Sequence, residues 1–207
     1  DIKDSRILHQ FDVAKKANGK WQNKVGRDVL FIQRNLEFLK PGGRMAIVLP
    51  QGRLNNISDG YIRQFIHQEA RILASVSLHI NTFKPHTNTK TSILFVQKWN
   101  DDPSASPCLR CPKVEDYPVF FAVSQQGGKD NTGEYVYLTD NKGRRLYDLH
   151  AHPLVDHDLF NLRAYLTDQL EQRLAVTQTE AEKQAVRDAY EALLPFVPDS
   201  PGISEAF

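Results

Sequence analysis

The spacing of apolar residues predicts a helix followed by a buried strand early in the chain. Residues 28–39 carry apolar side chains every three or four positions, and Asp28 is placed to cap the first turn. Pro41-Gly42-Gly43 ends this helix, because Pro cannot continue it and Gly accepts left-handed backbone angles. The run Met45–Leu49 is wholly apolar, as in a strand buried on both faces of a parallel sheet. We therefore predict Arg44–Leu49 as a central parallel strand.

The next pattern predicts a helix and two strands. Residues 59–70 carry an apolar stripe at helical spacing, and Ser58 or Asp59 can cap the start. Residues 72–80 alternate between apolar and polar side chains, and residues 92–98 contain a second apolar run. The polar loop between these strands is too short for a crossover helix, so they should be antiparallel neighbours.

The second half of the chain begins with turns and ends with helices. Residues 100–116 are rich in Pro, Ser and charge, as in a linker. Apolar spacing predicts a helix over 157–175, capped by Asp156, and another that begins at a Thr179/Glu182 capping box and ends near residue 194. No repeat with a period of 20–50 residues is present. Two candidate strands lie between the linker and the helices, at 117–123 and 135–139.

Composition narrows the class of protein. Hydrophobic residues make up 41% of the 207 residues and charged residues 25%, which excludes a disordered chain and a coiled-coil rod. The longest apolar runs have five residues, far short of the roughly 20 that span a bilayer. Residues 1–99 hold 16 Lys/Arg against 7 Asp/Glu, whereas residues 100–207 hold 10 against 18. This asymmetry hints at nucleic-acid contact by the first half, and two cysteines favour a reducing cytoplasm.

Local motifs offer few candidates for chemistry. Cys108-Leu-Arg-Cys111 lacks the second ligand pair of a zinc site, so two loop thiols without a role are favoured and no metal site is predicted. There is no G-x-S-x-G, P-loop or G-x-G-x-x-G. Phe83 stands in a polar loop beside two lysines. It is either an anchor that fixes the loop to a core or a stacking surface for a nucleobase.

Four phrases together resemble the N-6 adenine DNA methylase family, and more narrowly the modification subunit of type I restriction–modification systems. They are Leu39-Lys-Pro-Gly-Gly43, Ile47-Val-Leu-Pro50 with Gly52 after it, Asn81-Thr-Phe-Lys-Pro85 and Lys90-Thr-Ser-Ile-Leu-Phe95. The resemblance covers about residues 1–99. It continues weakly through 117–137, where similar proteins carry a related G-x-D-x-x-G stretch.

The resemblance implies the fold and the part of the enzyme that this chain represents. It implies an α/β fold: the later half of a Rossmann-like methyltransferase sheet with an antiparallel terminal strand pair, then a β-hairpin and a helical C-terminal extension. The corresponding domains are 1–99, the C-terminal half of the catalytic domain; 100–149, a linker and hairpin excursion; and 150–207, the helical extension.

Such enzymes bind S-adenosylmethionine through a Gly-rich loop after the first strand and hold the target amine with an Asn/Asp-Pro-Pro-Phe/Tyr motif. Neither motif occurs here. The resemblance therefore implies a chain cut just downstream of the catalytic motif, with no catalytic residue of its own. The cofactor would be bound mainly by residues outside this chain, and the isolated chain is expected to be inactive.

The resemblance also implies roles for residues of this chain. Phe83 corresponds to the aromatic residue that stacks on the target adenine in similar enzymes. The adenine is flipped out because it must leave the duplex before it can react. Lys84, Asn88 and Lys90 would contact the DNA, and a loop of three residues would border the active site. That loop is Pro50, Gln51 and Gly52.

The implied partners are DNA and the specificity and restriction subunits of a type I system, with a cytoplasmic location and no membrane. Two other interpretations remain open. One is a non-catalytic DNA-binding or scaffold module that kept the sheet and lost the chemistry. The other is a methyltransferase that acts on RNA or protein.

Overall fold

The computed structural model describes residues 1–16 and 18–206, which form two compact units. Unit 1 comprises Asp1–Ser77 and Thr89–Ala122, and unit 2 comprises Leu78–Asn88 and the residues from Val123 onward. The predicted boundaries near residues 99 and 149 stay predictions of domain organisation. The helices and strands are α1 (Ser5–Leu8), α2 (Arg27–Phe38), β1 (Arg44–Pro50), α3 (Gly52–Asn55), α4 (Gly60–Glu69), β2 (Ala70–Ser77), β3 (Thr91–Lys98), β4 (Phe120–Val123), α5 (Leu162–Val176), α6 (Glu180–Leu193) and α7 (Ile203–Ala206).

The sheet has the strand order β1-β3-β2-β4. β3 pairs antiparallel with both β1 and β2, with Ile47 opposite Leu94 on one side and Val76 opposite Ile93 on the other. β1 and β2 therefore run in the same direction, with β3 inserted between them. The predicted α/β class and the predicted antiparallel pair are confirmed. No helix in the described part of the chain is long and apolar enough to cross a membrane.

The strand predicted at Arg44–Leu49 is confirmed, but its place in the sheet is not the predicted one. β1 stands at the end of the strand order, pairs antiparallel with β3, and has no strand partner on its other edge among the described residues. Its outward-facing residues Ala46 and Val48 are exposed, Val48 by 46%. The prediction of a central parallel strand buried on both faces is therefore wrong for this sheet, because β3 takes the position beside β1 that a parallel neighbour would occupy.

The core of unit 1 lies between one face of the sheet and the helices α2 and α4. Apolar side chains that recur at helical spacing pack α2 against β1 and α4 against β2, as the pattern predicts. Their burial removes apolar surface from water and is the main force that holds this unit together. The most deeply buried members include Ile32, Leu36, Leu49, Ile62, Ile66 and Val96.

Unit 2 contains a segment, residues 127–157, that we call the three-turn segment because one turn recurs in it three times. In each turn an Asp N–H donates to the carbonyl four residues on, and the Asp Oδ1 accepts from the N–H groups two and four residues on. The turns are Asp130–Glu134, Asp140–Arg144 and Asp148–His152. The strand predicted at 135–139 consists only of single bridges, such as Tyr137 opposite Val155.

Three leucines eight residues apart close this segment into a ring of backbone bonds. Leu138 N–H donates to Leu154, Leu146 to Leu138 and Leu154 to Leu146, at 2.9–3.0 Å. Their side chains pack with Leu162 and neighbouring residues into the second core cluster. The eight-residue period is shorter than the 20–50 residues at which repeats are usually sought.

The C-terminal helices are confirmed, with one corrected start. α5 begins at Leu162 rather than 157, because Asn161 and not Asp156 caps it: its Oδ1 accepts the N–H groups of Arg163 and Ala164. α6 begins at the predicted capping box, where Thr179 Oγ1 accepts the Glu182 N–H (3.3 Å).

Candidate functional site: the Phe83 loop and the loop after β1

Phe83 lies in a series of turns spanning Leu78–Asn88 in unit 2, called the Phe83 loop below. Backbone bonds close the turns: the Lys84 N–H donates to Asn81 (3.0 Å), and the Thr87 N–H donates to Phe83 (3.2 Å). The Phe83 side chain is 38% exposed. A core anchor would be buried, so the available part of the ring favours a stacking surface.

The three-turn segment and the Phe83 loop are joined by hydrogen bonds that each donates to the other. Asn81 Nδ2 donates to the Lys129 carbonyl (3.1 Å) and to Asn131 Oδ1 (3.3 Å). Lys84 Nζ donates to the Asn131 carbonyl (2.9 Å), while Lys129 Nζ donates to the Lys84 carbonyl (2.9 Å). Three hydrogen bonds from a side chain to a backbone carbonyl and one between two side chains thus hold Asn81 and Lys84, on either side of Phe83.

The turn Asp130–Glu134 is rigid in itself. The Asp130 carboxylate accepts the Thr132 hydroxyl (2.7 Å) and the N–H groups of Thr132, Gly133 and Glu134 (2.8–3.0 Å). These bonds, led by that of the Thr132 hydroxyl, lower the pKa of Asp130. Gly133 has φ +100°, and a Cβ there would lie 2.6 Å from the Pro85 nitrogen. Only glycine fits this approach.

The predicted DNA-contacting residues fall in different surroundings. Asn88 is exposed at the end of the Phe83 loop. The Lys84 ammonium already donates to a carbonyl, so this residue helps to hold the loop whatever else it contacts. Lys90 is half-buried in unit 1, directly before β3.

The predicted active-site loop of Pro50, Gln51 and Gly52 lies in unit 1, at the carboxyl end of β1. Pro50 is paired with Thr91 in the sheet, and the Gln51 N–H donates to the Lys90 carbonyl (2.9 Å). The structure therefore brings together Lys90 and the loop after β1, two parts of the site that the sequence predicts separately. Phe83, Lys84 and Asn88 share the loop in unit 2.

An ion-pair cluster anchors the loop after β1 and contains two residues, Asp28 and Asp59, that the sequence predicts as helix caps. Arg53 Nε donates to Asp28 Oδ2 (2.7 Å), and its Nη1 donates to Asp59 Oδ2 (3.2 Å). The predicted cap at Asp28 is wrong, because α2 begins at Arg27 and its N-cap is Gly26, which has no side chain. Asp59 does stand at the N-cap of α4, but its carboxylate pairs with Arg53 and makes no cap bond. The hydrogen bond to Asp28 is the main reason that the pKa of Arg53 is raised. Arg53 was not among the residues that the sequence pattern singles out.

Two hydroxyls at this end of the sheet are buried without a hydrogen-bond partner among the described residues. They are Thr91 Oγ1, beside Lys90, and Ser77 Oγ, at the end of β2. An unsatisfied buried hydroxyl is costly, and native proteins usually pair it with protein, water or ligand. The sheet end that carries Pro50 therefore has unused hydrogen-bonding capacity.

The surroundings of the loop after β1 do not form a complete site for S-adenosylmethionine. β1 is followed by Pro50-Gln51-Gly52 rather than a Gly-rich loop. Acidic side chains commonly hold ribose hydroxyls in Rossmann-like sites, but Asp28 and Asp59 are both paired with Arg53. A cavity of about 880 Å³ between α5, α6 and Tyr147–Ala151 contains none of the predicted site residues.

The two cysteines lie in different surroundings. Burial raises the pKa of the Cys111 thiol, and Cys108 is exposed. Within residues 1–16 and 18–206, no group of three or more His, Cys, Asp or Glu side chains is placed to hold a metal ion.

Comparison with known proteins identifies the family. The sequence profile described as N-6 DNA Methylase matches residues 5–168. Comparison with curated proteins gave no match. Three solved structures are similar to parts of the chain. The first is a protein assigned as a class I S-adenosylmethionine-dependent methyltransferase from Listeria monocytogenes, with 20% identity and a TM-score of 0.43, covering 59% of this chain and 32% of that one. The second is the M protein of the type I restriction enzyme EcoKI, with 22% identity and a TM-score of 0.34, covering 42% of this chain and 22% of that one. The third is a protein assigned as a type I modification subunit from Vibrio vulnificus, with 15% identity and a TM-score of 0.38, covering 74% of this chain and 34% of that one.

The chain thus spans about a third or less of the length of these proteins. Their similarity is too remote to carry an argument, whereas the profile match extends over most of the sequence. On that match, the chain belongs to the N-6 DNA methylase family.

Proposed function

We propose that this chain is part of a DNA adenine-N6 methyltransferase of a type I restriction–modification system, located in the cytoplasm. The reaction would transfer a methyl group from S-adenosylmethionine to the amino nitrogen of a flipped adenine. Family membership supports a methyltransferase role. The observation that carries the finer proposal is Phe83, partly exposed in a loop whose backbone is fixed on both sides.

This chain would contribute the handling of the target base. A flipped base loses its stacking in the duplex, and an aromatic ring can replace that interaction without reading sequence. Phe83 would supply the ring, and Lys84, Asn88 and Lys90 would contact the displaced backbone, a contact that weakens as salt rises. Pro50, Gln51 and Gly52 would border the site, with Thr91 and its free hydroxyl nearby in sequence and sheet.

The cofactor and the activation of the amine are assigned to residues outside this chain. The edge of β1 that no described strand pairs with supports a sheet that continues beyond the described strands. We expect the isolated chain neither to bind S-adenosylmethionine tightly nor to methylate DNA. Titration calorimetry of the 207-residue chain tests this, and micromolar binding would contradict the assignment.

The proposed partners besides DNA are the specificity and restriction subunits. None of the 14 residues of α6 is buried, so this helix has surface to offer another subunit.

A non-catalytic DNA-binding or scaffold module is the second candidate. The observation that supports it is that the residues proposed to contact DNA, Phe83, Lys84 and Asn88, share one loop of this chain and need no cofactor in order to bind. The two candidates differ in the complete protein: an Asn-Pro-Pro-Phe motif and methylation of DNA identify the enzyme, whereas DNA binding without methyl transfer identifies the module.

The test of the proposed function is Phe83→Ala in the complete methyltransferase. Stacking on an aromatic ring is worth roughly 1–3 kcal/mol per base, so single-turnover methylation should slow about fivefold to over a hundredfold. Phe83→Trp keeps a ring face and should retain more of the rate. The melting temperature should stay close to the parent value, because the side chain is partly exposed. An unchanged rate in a folded Phe83→Ala enzyme would remove Phe83 from the site.

A further inference from the structure

We propose that the turn Asp130–Glu134 is a positioning element for Phe83, a role that rests on the function proposed above. The turn touches the Phe83 loop through backbone and side-chain contacts but does not itself present a side chain for stacking. It would act by fixing where the ring of Phe83 stands when the flipped base arrives.

Lys129, directly before the turn, and Asn131 within it exchange hydrogen bonds with the Phe83 loop in both directions, which limits how the loop can move. Lys129 holds the carbonyl of Lys84, directly after Phe83, while Asn81 holds the carbonyl of Lys129 (2.9 and 3.1 Å). Lys84 in turn holds the carbonyl of Asn131 (2.9 Å). Displacing the loop would break bonds donated from both sides.

The backbone of the turn is in direct contact with the residue pair that follows Phe83. At Gly133, a Cβ would meet the Pro85 nitrogen at 2.6 Å and the Lys84 carbonyl carbon at 2.8 Å. The Asp130 carboxylate fixes Gly133 by accepting its N–H (2.9 Å). The position of the Lys84–Pro85 backbone is therefore set by the turn, and with it the base of the Phe83 side chain.

A second turn of the same construction has no such contact. In Asp140–Arg144, Gly143 also has a positive φ (+73°), and its N–H donates to the Asp140 carbonyl (2.9 Å) as Gly133 N–H does to that of Asp130 (3.3 Å). Nothing lies within 4 Å of a Cβ built at Gly143. The Asp140 turn is therefore a matched control for the backbone strain of a substitution.

The experiment compares Gly133→Ala with Gly143→Ala in the complete methyltransferase. Both put a methyl group on a residue with a positive φ, so both should lower the melting temperature. The loss should be larger for Gly133→Ala, because its Cβ also clashes with the Lys84–Pro85 backbone, and the rates are therefore compared at a temperature where both variants are folded. Only Gly133→Ala pushes on the Phe83 loop, and misplacement of a reacting group by about 1 Å can cost on the order of a hundredfold in rate. We expect single-turnover methylation at least tenfold slower in Gly133→Ala than in Gly143→Ala, and equal rates would overturn the proposal.

A double variant shows whether the effect passes through Phe83. If the turn acts by positioning the ring, Phe83→Ala/Gly133→Ala should be about as slow as Phe83→Ala alone, since the ring to be positioned is absent. Multiplied effects would overturn the proposal. DNA with 2-aminopurine at the target base gives a spectroscopic readout: the fluorescence of the flipped base should differ between Gly133→Ala and the parent, and not between Gly143→Ala and the parent.

Lys129→Met keeps the inference testable if Gly133→Ala fails to fold. It removes the bond to the Lys84 carbonyl but keeps the apolar stem, and Lys129→Arg restores a donor. Methylation should slow several-fold in the Met variant and recover in the Arg variant; equal rates in the two would overturn the proposal. Phe83→Ala in the same assay separates the failures. If it slows methylation while Gly133→Ala matches Gly143→Ala, only the positioning role fails, whereas an unchanged Phe83→Ala rate removes the proposed function as well.

Discussion

The sheet of unit 1 and the three-turn segment of unit 2 are stabilised in opposite ways. β3 is bonded along its length to β1 and β2, and the adjoining core contains side chains such as Ile62 that are completely buried. The three-turn segment contains single β-bridges instead of strands, and an aspartate carboxylate accepts the backbone N–H groups of each turn. The difference teaches that a candidate site can be assembled by polar atoms even when a large apolar core lies elsewhere in the same chain.

The contrast extends to what each region can tolerate. An apolar core loses stability when side-chain volume is removed, because the free energy gained by burial is roughly proportional to the apolar area removed from water. A carboxylate-centred turn responds to lost acceptors, because each N–H that it leaves unpaired carries a desolvation cost. Substitutions that remove volume or an acceptor should therefore separate the two regions.

The largest expected effect is in the core of unit 1. Ile62→Ala removes a side chain with 0% exposure and should lower the free energy of unfolding by roughly 2–5 kcal/mol. Ile57→Ala is the matched control, because Ile57 is 96% exposed and the same substitution there should change stability by about 0.5 kcal/mol or less. Urea unfolding followed by circular dichroism measures both. Equal losses would mean that burial at Ile62 does not stabilise the sheet.

The second effect is in the three-turn segment, at the buried carboxylate of Asp148. This group accepts Gln169 Nε2 (2.8 Å), the Tyr165 hydroxyl (3.0 Å) and the N–H groups of His150 and His152. Asp148→Ala leaves these donors without an acceptor and should lower the free energy of unfolding by roughly 2–3 kcal/mol. Asp140→Ala removes an equivalent turn carboxylate without partners from α5, and its loss should be smaller. Similar losses would show that the contacts to α5 contribute nothing.

The same carboxylate predicts a dependence on pH. Burial alone would raise the pKa of Asp148, but bonds from Gln169, His152, His150 and Tyr165 outweigh it and lower the pKa from 3.8 to about 2. A lowered carboxyl pKa stabilises the fold above the unfolded-state value of 3.8, and this contribution is lost as the pH falls through about 2. Acid titration of the parent chain and of Asp148→Ala should show a steeper loss in the parent between these pH values. Parallel curves would contradict the assignment.

The sequence predicts the elements of this fold better than their pairing. Met45–Leu49 is visibly a strand because apolar runs carry that signal locally. Its neighbour in the sheet is β3, which lies more than 40 positions away in the sequence and inserts between β1 and β2. No local pattern indicates this pairing. Likewise, the sequence pattern predicts Asp28 as a helix cap, but α2 begins one residue earlier with Gly26 at its N-cap, and Asp28 pairs with Arg53, 25 positions on.

The site shows the same limit more sharply. Phe83 is conspicuous as an aromatic in a polar loop, and resemblance to a family assigns it a role. The contact from Asn81 to Lys129 crosses 48 positions and ends on a backbone carbonyl, a group that every residue has. Such contacts leave little trace in the side-chain pattern. The Gly and Asp residues of Gly127–Gly133 are typical of turns, but they do not indicate which residues the turn contacts.

The smallest expected effect is at Arg53, whose ion pairs with Asp28 and Asp59 hold the loop after β1 within the mainly apolar unit 1. Arg53→Lys keeps the charge but cannot reproduce the two-pronged contact with Asp28 (2.7 and 3.3 Å) while also reaching Asp59. Because Arg53 is partly exposed, we expect a loss of only about 1 kcal/mol in urea unfolding. Arg6→Lys is the control, since Arg6 pairs with Asp4 on the open surface and its substitution should leave the unfolding midpoint unchanged. If the two variants behave alike, the ion pairs of Arg53 do not hold this loop. The contrast would then sharpen further, because the sheet unit would depend on apolar burial and backbone pairing without help from charge.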